Sequence, residues 1–573
     1  MEGDGRVVLR EKIALQREFL DRWKQPVEPL LLETLRAIDH VFCEELFRGG
    51  PPETRGTANL ISTLGWGVNH ALTRMIPDGL PDAPFRYFPS NAQTQAQADE
   101  LLLHAGILER AERLSGWLEE GLVTQTLRTL DATLPSGIRQ ILVLKTIHPS
   151  MYRELISDAH RKWASDLQVH IDRRWEEEVG RRHAALLPLL EKCVDVHDGW
   201  GMTYRTTKEI DDHFVECGQI YLRRMWSGDL LGLEDRIGGR QFNEYLGVLV
   251  ALGARAQKHL CMATILKRRR PELDLRNLLT TFSPYEEFVS LLAASLDADR
   301  RHIEELLISL TLAPSNRDVH TRSGEAAWAP VVRSSRGFCL LPLYGLEINP
   351  FLFLLTDLEA RYPDDWFRAA NRREDRWLKA LALIFAPERW TTARNVKLRT
   401  SGRTVTDIDF LAYDKTSNEI GIFQLKWQGP VGMDNRARRS AGKNLGVQGN
   451  KWIEAVLVWL ESHGTRELAI RAGIEVLPGV RVRLFIVARY NAFFSGFADQ
   501  DSRAVWTDWN HVSKVRLESP KASVFELADL LTEQAAALAS SLAGESYVIP
   551  LQDLAVILNP KTEPEARDAD PQA

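Results

Sequence analysis

Two short apolar strands joined by a polar turn, within residues 403–428, place the strictest limit on how this chain can fold. Asp407 and Asp409 stand two residues apart on the first strand, so their side chains point the same way. Gln424 and Lys426 have the same spacing on the second strand. Pairing of the strands would therefore bring carboxylates, an amide oxygen and an ammonium group to one patch. Such a patch suits a divalent metal and the cleavage of a phosphodiester.

The elements around this strand pair follow a definite order. The pattern predicts an amphipathic helix, three strands, a second helix and a fourth strand, which is the order α-β-β-β-α-β. The ranges are 371–385 for the first helix, 395–400, 404–413 and 419–427 for three strands, about 442–462 for the second helix and 480–488 for the fourth strand.

The first helix of this order carries a further candidate. Glu374 precedes Trp377 by three residues and Leu378 by four, so it is predicted to project from the apolar face. A carboxylate on the buried side of a helix is costly unless it is paired or bound to a metal. The position therefore adds Glu374 to the predicted site.

These residues together resemble a known family of nucleases. The helix glutamate, Asp409 followed by Phe-Leu-Ala, and the run Gln424-Leu425-Lys426 are similar to the motif of the PD-(D/E)xK restriction-endonuclease-like superfamily. Gln in place of Glu resembles the Mrr-type branch. The resemblance covers about residues 371–515, a quarter of the chain.

The resemblance implies a cofactor and a role for each matching residue. It implies Mg²⁺, with Mn²⁺ as an alternative ion, held directly by Asp409 and by the side-chain oxygen of Gln424. The carbonyl group of Leu425 is expected nearby. Lys426 is expected to orient or help deprotonate the attacking water and to stabilise charge on the phosphate. Glu374 is expected to bind the same metal or a second one.

Two features of the motif leave alternatives open. Asp407 faces the same side as Asp409 and can assist it, although Asp409 fits the register of the motif better. Gln424 lacks the negative charge of a glutamate, which should weaken metal binding. A catalytically inactive domain that binds DNA or holds a complex together is therefore the alternative to a nuclease.

A basic segment accompanies the predicted site. Residues 373–515 contain 22 Lys and Arg against 15 Asp and Glu, a balance of +7, while the remainder has 50 against 63, a balance of −13. A basic segment on an acidic chain indicates a localised site for a polyanion. Residues 429–452 read as a glycine-rich loop suited to tracking a phosphate backbone, with a solvated loop as the alternative. Its candidate nucleic-acid contacts are Arg436, Arg438, Arg439, Lys443, Gln448 and Lys451.

The sequence before the nuclease-like part divides into a helical region and a smaller module. Residues 6–270 are predicted to be mostly helical. Residues 284–345 predict two helices and a β-hairpin, which resemble a winged helix-turn-helix. A recognition helix would then open with Arg300, Arg301 and His302, and a wing would carry Arg333 and Arg336. A protein-contact module is the alternative, since Glu304 and Glu305 would repel phosphate.

The predicted fold class is a multidomain α+β protein. Its predicted parts are a helical sensor or scaffold at 1–272, a winged-helix-like module at 273–348, a linker at 349–370, the nuclease-like domain at 371–515, a C-terminal helix and strand at 516–558 and a disordered tail at 559–573.

The remaining composition predicts a cytoplasmic protein. The N-terminus shows no apolar segment of a signal peptide, and the apolar run at 245–254 is too short to span a membrane. The five cysteines lie far apart without a paired framework, which favours free thiols.

The resulting hypothesis is a Mg²⁺-dependent endonuclease that cleaves DNA. Family-level association suggests a prokaryotic restriction or anti-phage effector whose helical half binds a protein partner or forms a homodimer. A helical scaffold or sensor, whose partners matter more than its own site, is a further alternative.

Overall fold

The computed structural model confirms the coarse prediction of a mixed α+β protein with several cores. The residues that it describes are 4–23, 28–48, 55–82, 86–130, 137–146, 154–225, 231–324, 326–427, 435–494, 500–541 and 546–559. Nearly all of the tail predicted at 559–573 lies outside these ranges.

The N-terminal half is mostly helical, as predicted, but it also contains strands. In chain order its elements are α1 Gly5–Asp21, α2 Glu28–Arg48, α3 Arg55–Met75, α4 Ala92–Glu119, β1 Val123–Thr129, β2 Gln140–Thr146, α5 Glu154–Cys193, β3 Val194–His197, β4 Gly201–Tyr204, α6 Lys208–Met225, β5 Arg236–Ile237, β6 Arg240–Gln241, α7 Phe242–Arg269 and α8 Arg276–Leu279.

The middle of the chain forms short helices around a small sheet. Its elements are β7 Thr281–Pro284, α9 Tyr285–Leu296, α10 Arg300–Ile308, β8 Thr311–Leu312, α11 Arg317–Ser323, β9 Val331–Arg333, β10 Phe338–Leu341, α12 Leu343–Ile348 and α13 Pro350–Arg361. The sheet has the order β7-β10-β9-β8, and Asp297 ends α9 in a left-handed conformation.

The last part begins with a helix and three long strands. Its elements are α14 Pro363–Leu383, β11 Trp390–Thr400, β12 Arg403–Asp414, β13 Glu419–Lys426, α15 Asn435–Ala472, β14 Arg481–Ala488, β15 Ala504–Asp508, α16 Trp509–Glu518, α17 Val524–Ser541, β16 Tyr547–Leu551 and β17 Leu554–Leu558. Gly464 interrupts α15 with a φ of 77°.

The C-terminal hairpin belongs to a sheet of the N-terminal half. Its strand order is β1-β2-β17-β16, and β17 pairs with β2 in parallel. Residues 516–558 are therefore not a separate C-terminal piece. The region 6–270, predicted to be mostly helical, also contains a strand at 123–129, because Gly121 ends α4 with a φ of 69° and the sequence that follows alternates.

Two hydrophobic cores fill the first two thirds of the chain. The N-terminal core joins α1–α4 to the sheet through residues such as Leu9, Leu102 and Val556, and the central core contains Phe242, Leu249 and Phe288. The small sheet lies between them, since Val332 and Leu340 contact the first while Val331 and Cys339 contact the second. The predicted boundary at residue 272 therefore does not separate two cores.

The predicted linker at 349–370 is helical and packed. Helix α13 has seven buried residues, and α14 begins at Pro363, eight residues before the predicted start. Trp366 and Ala369 of α14 belong to the central core, while Trp377 and Leu381 belong to the next one. Helix α14 thus contributes to two hydrophobic cores of the protein.

The five-stranded sheet that follows α14 has the order β11-β12-β13-β14-β15. The pairs β11–β12 and β12–β13 are antiparallel, and the pairs β13–β14 and β14–β15 are parallel. One face forms the α15 core with Ile408, Trp452 and Ile486. The other forms the α14 core with Trp377, Phe410 and Phe485. The carboxyl ends of β13, β14 and β15 meet at one edge.

Helix α5 connects the N-terminal half to this sheet. Ile156, at its start, lies in the α15 core, while Leu186 and Leu190, near its end, lie in the central core. Forty residues of helix span about 60 Å. The side chain of His160 contacts Asp508 at the end of β15, with 2.7 Å between Nδ1 and Oδ2.

Candidate active site

The candidate site lies where β12 and β13 stop pairing. The last backbone pair is Phe410 with Phe423, and beyond it the side chain of Asp409 bridges the strands. Its Oδ2 accepts a hydrogen bond from Nε2 of Gln424 and another from the backbone N–H of Leu425, both at 2.7 Å. Three of the predicted residues are therefore in direct contact.

A local irregularity of the strands accompanies this position. Asn395 of β11 lies between the pairs Arg394–Phe410 and Val396–Ile408, opposite Asp409, and has a φ of 54°. Ile408 and Leu411 contact the α15 core, whereas Phe410 contacts the α14 core. Strict alternation would place Ile408 with Phe410, so the strand changes its facing beside Asp409. The sequence pattern alone gave no sign of this change.

The charges predicted for the site act on Asp409. Burial raises the pKa of Asp409 from an ordinary 3.8 to about 6, while the hydrogen bond from Leu425 opposes the rise. Asp407 and Glu374 raise this pKa further, and Lys426 lowers it. The positive charge near Asp409 therefore does not offset the cost of burying its ionised carboxylate. A cation bound beside this carboxylate would be stabilised by its negative charge.

Gln424 presents a buried acceptor without a donor. Its side chain is 6% exposed, and its Oε1 has no hydrogen-bond partner within the described part of the chain. Because the carboxylate of Asp409 accepts, the amide nitrogen must face it and the oxygen must face away. An unpaired buried carbonyl costs free energy, so the position favours a ligand that accepts its lone pair.

The two other members of the strand motif are more accessible. Lys426 is half-buried at the end of β13, and its carbonyl accepts from the backbone N–H of Arg489 at 3.1 Å. Asp407 is exposed and lies opposite Lys397 of β11. Leu425 contributes its backbone N–H to the site and is in register with Val487 of β14.

Glu374 is exposed, so the prediction that α14 buries it was wrong. Between Ala369 and Trp377, α14 passes from the central core to the α14 core, and no residue of that stretch is buried. The apolar face predicted for the helix begins only at Trp377. Glu374 therefore lies on α14 between the residues that pack in the central core and those that pack in the α14 core. Its negative charge raises the pKa of Asp409.

A tight group of metal-ligating side chains occurs elsewhere among the described residues. His70, Glu109 and Glu112 bring their ligating atoms within 4.8 Å of one another, whereas the carboxylates around Asp409 do not form so close a group. Nε2 of His70 lies 2.9 Å from Oε2 of Glu109, and Arg17 already pairs with Glu112 at 2.8 Å. The sequence pattern does not reveal this group, because its histidine is on a different helix from the two glutamates.

The helix predicted at about 442–462 begins at Asn435, so the prediction of a loop was wrong for residues 435–441 of the basic segment. Residues 428–434 and the side chains of Arg436 and Arg438 lie outside the described part of the chain. Lys443, Gln448 and Lys451 are exposed on α15. Arg439 pairs with Glu120, just after the end of α4, at 2.7 Å.

The cations predicted for a recognition helix and wing have partners within the protein. Arg300 pairs with Glu286, Arg301 with Glu305 and His302 with Glu244. On the hairpin, Arg336 pairs with Asp82 and Arg333 stacks on Tyr285. Each of these cations therefore has an acid or an aromatic ring beside it.

Comparisons with protein-family models, with curated proteins and with solved structures find no match to this chain. Each helix within the described ranges is either too short or too polar to span a bilayer.

Proposed function

We propose that this protein is a metal-dependent nuclease and that Asp409, Gln424 and Lys426 form its active site. One observation carries the proposal: the half-buried carboxylate of Asp409 lies against the amide of Gln424, whose oxygen has no partner among the residues that the structure describes. A partly desolvated anion beside an unpaired acceptor favours a bound cation.

The donors fit Mg²⁺. Asp409 would hold it through a carboxylate oxygen, and Gln424 through Oε1 once its side-chain amide turns from the present contact with Asp409. Exposed Asp407 would contribute its negative charge. Mg²⁺ prefers oxygen ligands and keeps several waters, so two or three protein oxygens suffice. When bound, the ion lowers the pKa of a coordinated water and offsets negative charge on a phosphate. Mn²⁺ is the alternative ion.

Lys426 supplies a positive charge to the site through its side-chain ammonium group. Its ammonium acts on Asp409 and offers three donors at the open edge of the sheet. These donors would orient the attacking water and hydrogen-bond to a phosphate oxygen as its charge grows. Glu374, exposed beside the site, would act on the metal through water and not as a direct ligand.

The substrate proposed is DNA, held by its backbone. The exposed Lys443 and Lys451 lie on α15, which packs on the same sheet, and Arg439 would join them on release from Glu120. Cations without a base-reading element bind phosphates and confer little sequence preference.

The N-terminal half is proposed to bind a protein partner or a second copy of the chain. The pairing of the hairpin and α10 cations with acids supports a protein contact there over a DNA contact. A defence effector that couples such binding to cleavage of foreign DNA is the proposed biological role.

A cleavage assay tests the proposal. Wild type should nick supercoiled plasmid and cut linear DNA with Mg²⁺ or Mn²⁺, and Lys426→Ala should lower the rate by about 100-fold or more. Lys379→Ala, an exposed lysine of α14, is the matched control and should cleave like wild type. The same assay with an RNA substrate shows whether the protein cleaves DNA, RNA or both.

Two outcomes would replace the proposal. Equal cleavage by wild type and Lys426→Ala would show that the activity comes from elsewhere. DNA binding by wild type without cleavage, with either metal and with partners present, would favour the inactive nuclease-like domain.

A further inference from the structure

The hairpin formed by β11 and β12 extends beyond the candidate active site. The pairing of β12 with β13 ends at Phe410, while β11 and β12 continue to pair outward from there to their turn. Ser401 and Gly402 form that turn with φ values of 50° and 80°, and a positive φ at both positions is typical of a two-residue hairpin turn. Residues 394–408, which we call the outer hairpin, therefore form a ribbon of two strands.

One face of the outer hairpin packs on helix α15. Val396 and Leu398 of β11 are buried in the α15 core. The indole Nε1 of Trp459, on α15, donates a hydrogen bond to the backbone carbonyl of Arg399 at 3.1 Å. The hairpin is therefore held in place from this side, and its strands do not need a ligand to become ordered.

The opposite face of the outer hairpin is bare. Lys397 and Arg399 alternate with the two buried residues of β11, so their side chains point away from α15. Both are exposed, and so is Thr404, which is paired with Arg399 across the strands. Along β12, the α14 core begins only at Phe410. The face that carries Lys397 and Arg399 therefore lies open to solvent.

The outer hairpin is basic, and its cations are unpaired. It contains four Lys and Arg against one acid, Asp407. The four exposed cations are Arg394, Lys397, Arg399 and Arg403. Within the described ranges, none of their side chains makes an ion pair or a hydrogen bond. At the other end of the sheet, by contrast, Arg389 pairs with Asp414 and Arg481 pairs with Glu419. Four neighbouring cations without counter-charges repel one another, so a bound polyanion would stabilise this face.

The spacing of these cations suits a nucleic-acid backbone. Arg394 and Arg399 are five residues apart on β11, which corresponds to about 17 Å along a strand. One strand of DNA advances by about 3.4 Å per phosphate, so this length spans about five nucleotides. The strip starts beside Asp409, since Asn395 lies opposite that residue. A duplex lying along the strip would therefore pass next to the candidate site.

We propose that the bare face of the outer hairpin binds the phosphate backbone of duplex DNA through its four cations. The choice of DNA as the ligand rests on the proposed function, whose own candidate contacts lie on α15. Cations that contact phosphates fix the position of a duplex without reading its bases. The outer hairpin would thus hold the DNA beside Asp409, on a surface that α15 does not supply.

DNA binding by the full chain without divalent metal tests this surface. Fluorescence anisotropy of a labelled duplex of about 24 base pairs, between about 50 and 200 mM salt, gives the affinity and its salt dependence. Lys397→Gln/Arg399→Gln should lower the affinity by about tenfold and reduce the slope of log affinity against log salt by about 2. Lys415→Gln/Lys521→Gln removes two exposed lysines at the other end of the sheet, near Asp414, and is the matched control.

A second pair of substitutions keeps the test valid if the first variant unfolds. Arg394→Gln/Arg403→Gln removes the two other cations of the strip and should weaken DNA binding in the same way. Affinities and salt slopes of both double variants equal to those of the control would overturn the inference, and so would a wild type that binds no DNA. DNA binding by wild type without cleavage would contradict the proposed nuclease alone. Cleavage by wild type, with unaltered binding by both double variants, would contradict this surface alone.

Discussion

Asp409 is the residue on which the chemistry of the candidate site depends. Its carboxylate accepts two hydrogen bonds at 2.7 Å, yet burial still raises its pKa to about 6. The ionised form is therefore less stable in the folded chain than in the unfolded chain. Because a raised pKa favours the protonated state, this group stabilises the fold at low pH and loses that contribution as pH rises through about 6.

Asp409→Asn should stabilise the metal-free protein above about pH 6. Asn can present one oxygen to both donors without carrying a charge. The expected gain in free energy of unfolding is on the order of 1–3 kcal/mol at about pH 7.5 and close to zero at about pH 4. Urea unfolding at the two pH values measures it, with the exposed Asp375→Asn as control. If Asp409→Asn is less stable than wild type at both pH values, the ionised carboxylate of Asp409 does not destabilise the fold.

The contact between Asp409 and its partners was only partly predictable from the sequence. The spacing along each strand predicted one patch of Asp407, Asp409, Gln424 and Lys426, but the irregularity at Asn395 breaks the alternation that would point Asp407 and Asp409 the same way. The end of the strand ladder and the conformation of Asn395 are set by packing of the whole sheet. The bond from the Leu425 N–H to Asp409 therefore could not be inferred.

Helix α14 shows how an element can mislead when its ends are unknown. Its apolar stretch was recognised, but the helix extends to Pro363 and enters a second core. Glu374 consequently falls between two packed regions. A carboxylate in that position acts at a distance and contributes less than a direct ligand.

Glu374→Ala should lower kcat/KM for DNA cleavage by no more than about tenfold, compared with about 100-fold or more for Asp409→Asn. The adjacent exposed Asp375→Ala should change nothing and controls for loss of surface charge. Rates at a fixed, saturating Mg²⁺ concentration give the comparison. Loss of activity by Glu374→Ala as complete as that of Asp409→Asn would establish Glu374 as a direct ligand.

The glycines of α15 test whether the basic segment is helical. A Cβ atom at Gly449 would lie 2.2 Å from the ring of Trp506, whereas one at Gly446 meets nothing within 4 Å. Gly449→Ala should therefore destabilise the protein by about 1–3 kcal/mol, while Gly446→Ala should stabilise it by about 0.5–1 kcal/mol. Thermal or urea unfolding of the two variants measures these changes in the free energy of unfolding. Equal effects would indicate that residues 446–449 are not held as a packed helix.

Two long-range connections of the whole molecule could not be predicted from the sequence. Strand β17 pairs with β2, and the backbone of Thr146 donates to Asn559, 413 positions away. Helix α5 links the central core to the sheet that carries the site. Local periodicity identifies such segments but not their partners, so the domain boundaries predicted at 272 and 516 did not correspond to separate cores.

The ion pair between Arg439 and Glu120 connects the helical half to the basic helix α15. Glu120→Ala should free Arg439 and raise DNA affinity by about two- to fivefold, with a steeper salt dependence. Glu119→Ala, which removes the neighbouring pair with Arg10, is the matched control and should leave affinity unchanged. Fluorescence anisotropy across a salt series measures both. An unchanged or lower affinity for Glu120→Ala would exclude Arg439 as a DNA contact.

Binding of a divalent metal by Asp409 and Gln424 can be measured by titration with Mn²⁺, followed by electron paramagnetic resonance. Wild type should bind about one Mn²⁺ ion that Asp409→Asn loses, and Gln424→Glu should bind it more tightly because it adds a charge. His70→Ala controls for the other group of ligating side chains and should leave this ion in place. Equal binding by wild type, Asp409→Asn and Gln424→Glu would show that Asp409 and Gln424 do not hold the metal.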